Sequence, residues 1–148
     1  MNSKIQAMVP TEPPPEPIEI GHVTGAPLMI LRAEGAILLA ASSAAYGFQD
    51  ATWWLFATLF FVPDVFMLGY LFDKRFGAGL YNLGHSTILP AVVTGLGVLM
   101  SAQLAVAIGL IWLAHVGFDR AVGYGLKYPD AFKNTHLGAP LAGHRSGG

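Results

Sequence analysis

Five ionisable residues stand inside otherwise apolar stretches of this chain, and their types suit metal binding or acid–base chemistry. They are Glu34, Asp64, His85, His115 and Asp119. Histidine and carboxylate together are ligands for zinc, iron or manganese. The spacing of His115 and Asp119 places both side chains on one face of a helix. Because an ionisable group inside a bilayer is unfavourable by at least about 2 kcal/mol, a set drawn from every apolar stretch indicates a polar site within a bundle.

The residue types predict roles within this site. The candidate metal ligands are Asp64, His85, His115 and Asp119. The candidate catalytic carboxylates are Glu34, as a general base, and Asp64. Supporting side chains are expected from Tyr81, Asn82, Arg120 and Tyr124. A zinc, iron or manganese ion held here would activate water or polarise a lipid or acyl carbonyl, as in a hydrolase.

Two other interpretations of the same residues remain open. One is an internal network of ion pairs and hydrogen bonds, with Arg120 balancing Glu34 or Asp119, since buried charges are usually paired. The other is a path for protons or small solutes. The predicted polar groups lie in one half of the bundle, and the other half is apolar, which argues against a continuous path. Pro63 and Pro90 lie beside the site, and each removes a helix hydrogen bond and leaves a carbonyl free.

Four apolar stretches must position these groups. They cover residues 28–48, 52–72, 78–100 and about 103–126. Each approaches or exceeds the roughly 20 residues that cross the hydrocarbon core. The chain is 53% hydrophobic and 11% charged, with a mean hydropathy of +0.52. Short connections make sequential helices antiparallel neighbours. We therefore expect an all-α polytopic membrane protein, an antiparallel bundle of four transmembrane helices in contact with the lipid bilayer.

The distribution of basic residues predicts the orientation. All 8 lysines and arginines lie in the two tails, in the middle loop or in the adjoining helix turns. Loops rich in these residues stay in the cytoplasm, so both termini should be cytoplasmic, in a bacterial inner membrane. A net charge of −1 gives no indication of nucleic-acid binding. The absence of cysteine excludes disulfides and thiolate metal sites.

Three regions follow from composition. Residues 1–27 form a proline-rich tail that is disordered or bound to a partner, since residues 11–17 read TEPPPEP. Residues 28–128 form the transmembrane domain. Residues 129–148 form a polar tail or a lid over the cytoplasmic mouth. An alternative function uses both tails as clamps on other membrane-protein subunits, the chain then being a non-catalytic accessory subunit.

Several stretches resemble a family of small bacterial membrane proteins known as domain of unknown function 4260. The longest reads IWLAHVGFDR from residue 111 and continues to GYGLKYP at 123–129. Shorter ones are Pro63-Asp64 with residues 67–70, residues 81–83 with His85 and Pro90, and Phe132 with residues 135–138. The resemblance covers about residues 31–138. It implies an integral membrane domain of about four helices and supplies no activity or residue roles.

Overall fold

The structure is a computed structural model, and it describes residues 21–130 and 132–138. Its elements are α1 (Gly25–Gly47), α2 (Trp53–Leu59), a 3₁₀ helix (Val62–Leu71), α3 (Lys74–His85), α4 (Ile88–Leu99) and α5 (Gln103–Val122). Among the described residues there is no β-strand, only an isolated bridge between Lys127 and Thr135. The prediction of an all-helical chain is confirmed. The proline-rich run at 11–17 lies outside the described residues.

Four helical segments are long and apolar enough to cross a membrane, which indicates a multi-pass membrane protein. They are Gly25–Gly47, Trp53–Leu71, Lys74–Leu99 and Gln103–Val122. The third begins earlier than expected because the Asp73 carboxylate accepts hydrogen bonds from the main-chain N–H groups of Arg75 and Phe76. The fourth ends earlier because Gly123 adopts a φ of 100° and closes the helix.

Both intramembrane prolines coincide with interruptions of their spans. At Pro63 the second span changes from α-helix to 3₁₀ helix, and the third span breaks at 86–87, just before Pro90. A proline has no N–H to continue the helical ladder. The second break is bridged by Trp112, whose indole N–H donates to the carbonyl of Gly84. Each interruption lies beside a predicted site residue, the first at Asp64 and the second at His85.

Helix α5 is the central element, and α1 and α4 pack along it. The 3₁₀ helix packs against α3 instead. Gly35 of α1 meets Gly117 of α5 so closely that a Cβ on Gly117 would lie 2.5 Å from the nitrogen of Leu39. Such small-residue contacts let backbones approach where lipid gives helices no hydrophobic reason to associate. This contact fixes which face of α1 turns toward α5.

Residues 123–130 and 132–138 fold back against the bundle, and we call this segment the cap. The cap is closed on itself by main-chain hydrogen bonds from Tyr128 to Asn134 and from His136 to Leu126. The start of the described chain joins it, because the N–H of Val23 donates to the carbonyl of His136 at 2.9 Å. Residues 139–148 of the predicted C-terminal region lie outside the described part.

Candidate metal centre

Four predicted site residues meet at one point, and we call them the Asp/His cluster. Asp64 comes from the 3₁₀ helix, His85 from the last turn of α3, and His115 and Asp119 from α5. One ligand atom from each lies within 4.8 Å of all the others. Because these elements are distant in sequence, the cluster is a product of how the spans pack.

The distances within the cluster are those of ligands around a single ion. The Nε2 atoms of His85 and His115 are 3.2 Å apart. From His85 Nε2, Asp64 Oδ1 and Asp119 Oδ2 each lie at 3.4 Å. From His115 Nε2 the same oxygens lie at 3.6 and 3.8 Å. Ligands about 2.0–2.1 Å from a tetrahedral zinc are about 3.3–3.4 Å from one another. Each distance that involves a histidine nitrogen is therefore within about 0.5 Å of the value for a tetrahedral zinc site.

The tautomer of His85 follows from its hydrogen bond. Its Nδ1 lies 2.9 Å from the main-chain carbonyl of Tyr81, which can only accept. Nδ1 therefore carries the proton, and in the neutral ring the lone pair of Nε2 faces the cluster. The Tyr81 ring stacks on the imidazole with centroids 3.8 Å apart, and its hydroxyl donates to Asp119 Oδ2 at 3.4 Å. Tyr81 thus lies beside the cluster, as the sequence predicts.

His115 is held differently, in a way that leaves one nitrogen without a partner. Its Nδ1 is buried and makes no hydrogen bond to a described residue. The main chain of Phe60 lies beside this ring. The Phe60 carbonyl is left free because Pro63 has no N–H and the N–H of Asp64 donates to Phe61 instead. A histidine that binds metal through Nε2 usually donates Nδ1–H to such a carbonyl.

Exposure is uneven across the cluster. The side chains of His85 and His115 are 3% and 2% exposed, and that of Asp119 is 14% exposed. Asp64 is 43% exposed. Two carboxylates share this space with the Nε2 atoms of two imidazoles, and the Tyr81 hydroxyl donates to one carboxylate. Asp64 marks the open side of the cluster.

Lys127 is a neighbour of the cluster that the sequence did not single out. It is 8% exposed, and its Nζ lies 3.4 Å from the ring centroid of Phe132 and 4.4 Å from that of Tyr81. Burial lowers the pKa of Lys127 to about 8, against the opposing effect of Asp119 and Asp64. The only signal in the sequence was its place in the GYGLKYP stretch, where a lysine is also typical of a membrane surface.

Asn82 positions the cap rather than the cluster. Its Nδ2 donates to the carbonyl of Lys127 at 2.9 Å, and its Oδ1 accepts from the N–H of Lys127 at 2.7 Å. Tyr124 was also expected to support the site, but its side chain is 43% exposed. The main-chain N–H of Tyr124 donates to the carbonyl of Asp119 and helps to end α5.

Glu34 lies apart from the cluster, so the predicted convergence of five groups is met by four. It is exposed on α1 and lines a separate cavity of about 250 Å³ together with Arg120 and His136. The adjacent Gly35 faces α5, and successive helical residues point about 100° apart. The geometry therefore gives no support to Glu34 as a base at the cluster, and Arg120 belongs to the same separate cavity.

Comparison with known proteins gives a family without an activity. The family model described as Domain of unknown function (DUF4260) matches residues 28–139, which confirms the resemblance over a slightly longer stretch than the sequence suggested. No curated protein and no solved structure matches the chain. Any role for the cluster must therefore be argued from its own geometry.

Proposed function

The chain belongs to the DUF4260 family, and from its Asp/His cluster we propose that it is a membrane metalloprotein that binds one divalent transition-metal ion. The observation that carries this proposal is the convergence of two imidazole nitrogens and two carboxylate oxygens within 4.8 Å. Four acceptors that face one another repel unless a cation or shared protons lie between them. The ligands are Asp64, His85, His115 and Asp119.

The surroundings of the histidines support metal binding over a network of hydrogen bonds alone. When Nε2 of each ring binds the ion, Nδ1 must carry the proton. For His85 that proton goes to the Tyr81 carbonyl, and for His115 the freed main chain of Phe60 is nearby. Nδ1 of His115 makes no hydrogen bond to a described residue, so it is available to hold the proton while Nε2 faces the cluster.

Zinc is the simplest occupant of the cluster. Five of the six ligand-to-ligand separations lie between 3.2 and 3.8 Å, close to the edge of a tetrahedron around zinc, and the two carboxylate oxygens lie within 4.8 Å of each other. Iron(II) and manganese(II) also accept mixed histidine and carboxylate ligands, and they would bind additional water. The mixture of imidazole and carboxylate donors is compatible with each of these three ions.

A hydrolytic activity is the finer part of the proposal. A metal with one exchangeable position polarises a carbonyl or lowers the pKa of bound water. Asp64 is the ligand best suited to vacate such a position, since its side chain is 43% exposed while the histidines are buried. Lys127, with its side chain packed beside Tyr81, supplies a cation near an oxygen that develops negative charge. The cap serves as a lid that limits water at this side.

Metal analysis of purified protein tests the proposal directly. The full chain, extracted in a mild detergent, should hold about one zinc, iron or manganese ion per chain, and His115→Ala and Asp119→Asn should each lower that ratio by at least about tenfold. His22→Ala is the matched control, because His22 is exposed and far from the cluster in the chain. A metal-free protein that also fails to bind added zinc would exclude the metal site.

The site belongs, in this proposal, to the cytoplasmic half of a bacterial inner-membrane protein with both termini in the cytoplasm. The support is the distribution of all 8 basic residues on one side of the predicted spans. Reporters active in one compartment, fused to each terminus, would measure the orientation, and a periplasmic signal from either end would refute it. No observation among the described residues favours the accessory-subunit alternative.

A further inference from the structure

We propose that the cavity between α1, α5 and the cap binds the headgroup of a phospholipid that carries both a phosphate and an ammonium group. This cavity measures about 250 Å³ and is separate from the Asp/His cluster. It is lined by Leu31, Glu34, Leu38, Arg120, His136 and Leu137. Cavities for drug-sized ligands measure roughly 300–1,000 Å³, so this one suits a headgroup rather than a whole lipid.

Arg120 supplies the group that would bind phosphate. It is half-buried, and its guanidinium makes no hydrogen bond to another described residue. Glu34 acts on it electrostatically, yet the two do not form an ion pair within the described structure. A guanidinium presents several donors in a fork that matches phosphate oxygens. The cavity therefore contains an anion-binding group whose donors are not used by any residue that the structure describes.

His136 adds a neutral donor to the same cavity. Its Nδ1 accepts a hydrogen bond from the main-chain N–H of Leu126 at 2.8 Å, so the proton of the neutral ring is on Nε2. Burial and the nearby Arg120 both lower the pKa of His136, which keeps the ring uncharged at neutral pH. The Nε2–H has no partner among the described residues. Arg120 and His136 thus resemble a two-sided clamp for a phosphate.

Glu34 explains why the ligand should also carry a cation. It is exposed on a helix that crosses the membrane, where an unpaired carboxylate facing lipid is unfavourable. A headgroup ammonium would pair with it while the phosphate binds Arg120. Leu31 and Leu38 lie three residues before and four residues after Glu34, so they share its helix face and can contact the glycerol and upper acyl chain.

This reasoning distinguishes two common lipids. Phosphatidylethanolamine offers both charges and satisfies Arg120 and Glu34 together. Phosphatidylglycerol offers only the phosphate, which leaves Glu34 unpaired beside a second negative charge. Binding of the two lipids can be measured on the full chain in a non-ionic detergent by native mass spectrometry, with chelator present so that the cluster does not contribute.

We expect phosphatidylethanolamine to bind at least tenfold more tightly than phosphatidylglycerol. Glu34→Gln should abolish that preference while leaving phosphatidylglycerol binding unchanged or stronger. Arg120→Gln should weaken the binding of both lipids, because both carry the phosphate. Asp50→Asn and Arg75→Gln are matched charge controls at exposed positions outside the cavity, and both should retain the preference. Circular dichroism checks that each variant is folded. If Arg120→Gln does not fold, Glu34→Gln still tests the proposal, because Glu34 is at an exposed position.

Three results would overturn the proposal. The first is equal binding of both lipids by the unaltered chain. The second is an unchanged preference in Glu34→Gln. The third is binding of soluble phosphoethanolamine as tightly as the lipid, which would assign the cavity to a soluble ligand. None of these depends on metal at the cluster, so the outcome is independent of the proposed function.

Discussion

The two halves of α5 bury different kinds of side chain against the same bundle. The first half presents Val106, Ala107, Leu110 and Ile111 to Tyr46, in an apolar core bordered by Phe56 and Leu55. The second half buries His115 and, partly, Asp119. In the first half the apolar side chains pack against one another, and the Tyr46 hydroxyl donates a hydrogen bond to the Thr52 carbonyl. The second half brings together two imidazoles and two carboxylates, and among the described residues the Tyr81 hydroxyl donates to one of them, Asp119.

The contrast separates stability from function along one helix. A packed apolar core is stabilised by dispersion and by the absence of voids. A cluster of mutually repelling acceptors reduces stability until a cation occupies it, and such arrangements are typical of functional sites. Mutations in the apolar half should therefore lower the free energy of unfolding, whereas mutations in the cluster should mainly change the response to metal.

The largest expected effect is a loss of stability in the apolar half. Ile111 is 1% exposed, so Ile111→Ala should lower the free energy of unfolding in detergent by about 2–5 kcal/mol through the cavity it leaves. Ile37→Ala, on the exposed face of α1, should change it by less than about 0.5 kcal/mol. Metal content per folded chain should stay constant in both. Equal losses from the two variants would show that this core is not closely packed.

A smaller effect concerns Lys127 and depends on pH. Its pKa is lowered from 10.5 to about 8 in the folded protein, chiefly by burial. Below about pH 8 Lys127 is protonated in both the folded and the unfolded protein, and the folded protein bears the full cost of burying the charge. Above about pH 8 the unfolded protein binds more protons than the folded protein. Stability should therefore rise between about pH 8 and 10.5, and Lys127→Met should remove that rise and raise stability below pH 8. If the stability of Lys127→Met rose by the same amount over this pH range, the rise would belong to another titrating group.

The smallest expected effect is the removal of one carboxylate from the cluster. Without metal, Asp64→Asn should change the free energy of unfolding by less than about 1 kcal/mol, because it relieves repulsion between acceptors, whereas breaking a structural buried ion pair costs about 3–5 kcal/mol. Added zinc should stabilise the unaltered chain and not the variant. The measurement is thermal unfolding in detergent with and without chelator. A large loss that chelator does not alter would favour a purely structural network.

The elements with the strongest local signals were the ones that the sequence predicted well. Four apolar stretches predicted four spans, because a bilayer requires long apolar helices whatever their packing. Pro63 and Pro90 each predicted the loss of one helix hydrogen bond, because a missing N–H acts locally, and both spans are interrupted near these prolines. Helix ends were less predictable: the fourth span ends at Val122 rather than 126 because Gly123 takes a left-handed conformation.

The site divides in the same way between sequence and tertiary structure. Residue type and place within the apolar stretches named Asp64, His85, His115 and Asp119, which the structure brings together, since only a few ionisable groups occupy those stretches. The position of a residue along a span does not tell how that helix is rotated about its axis. The close contact of Gly35 with Gly117 sets the rotation of α1, so that the Glu34 side chain points to a different cavity. Lys127 reaches the cluster only because the cap folds back and Asn82 holds its backbone. Such contacts join residues far apart in the chain, so only the folded bundle decides them.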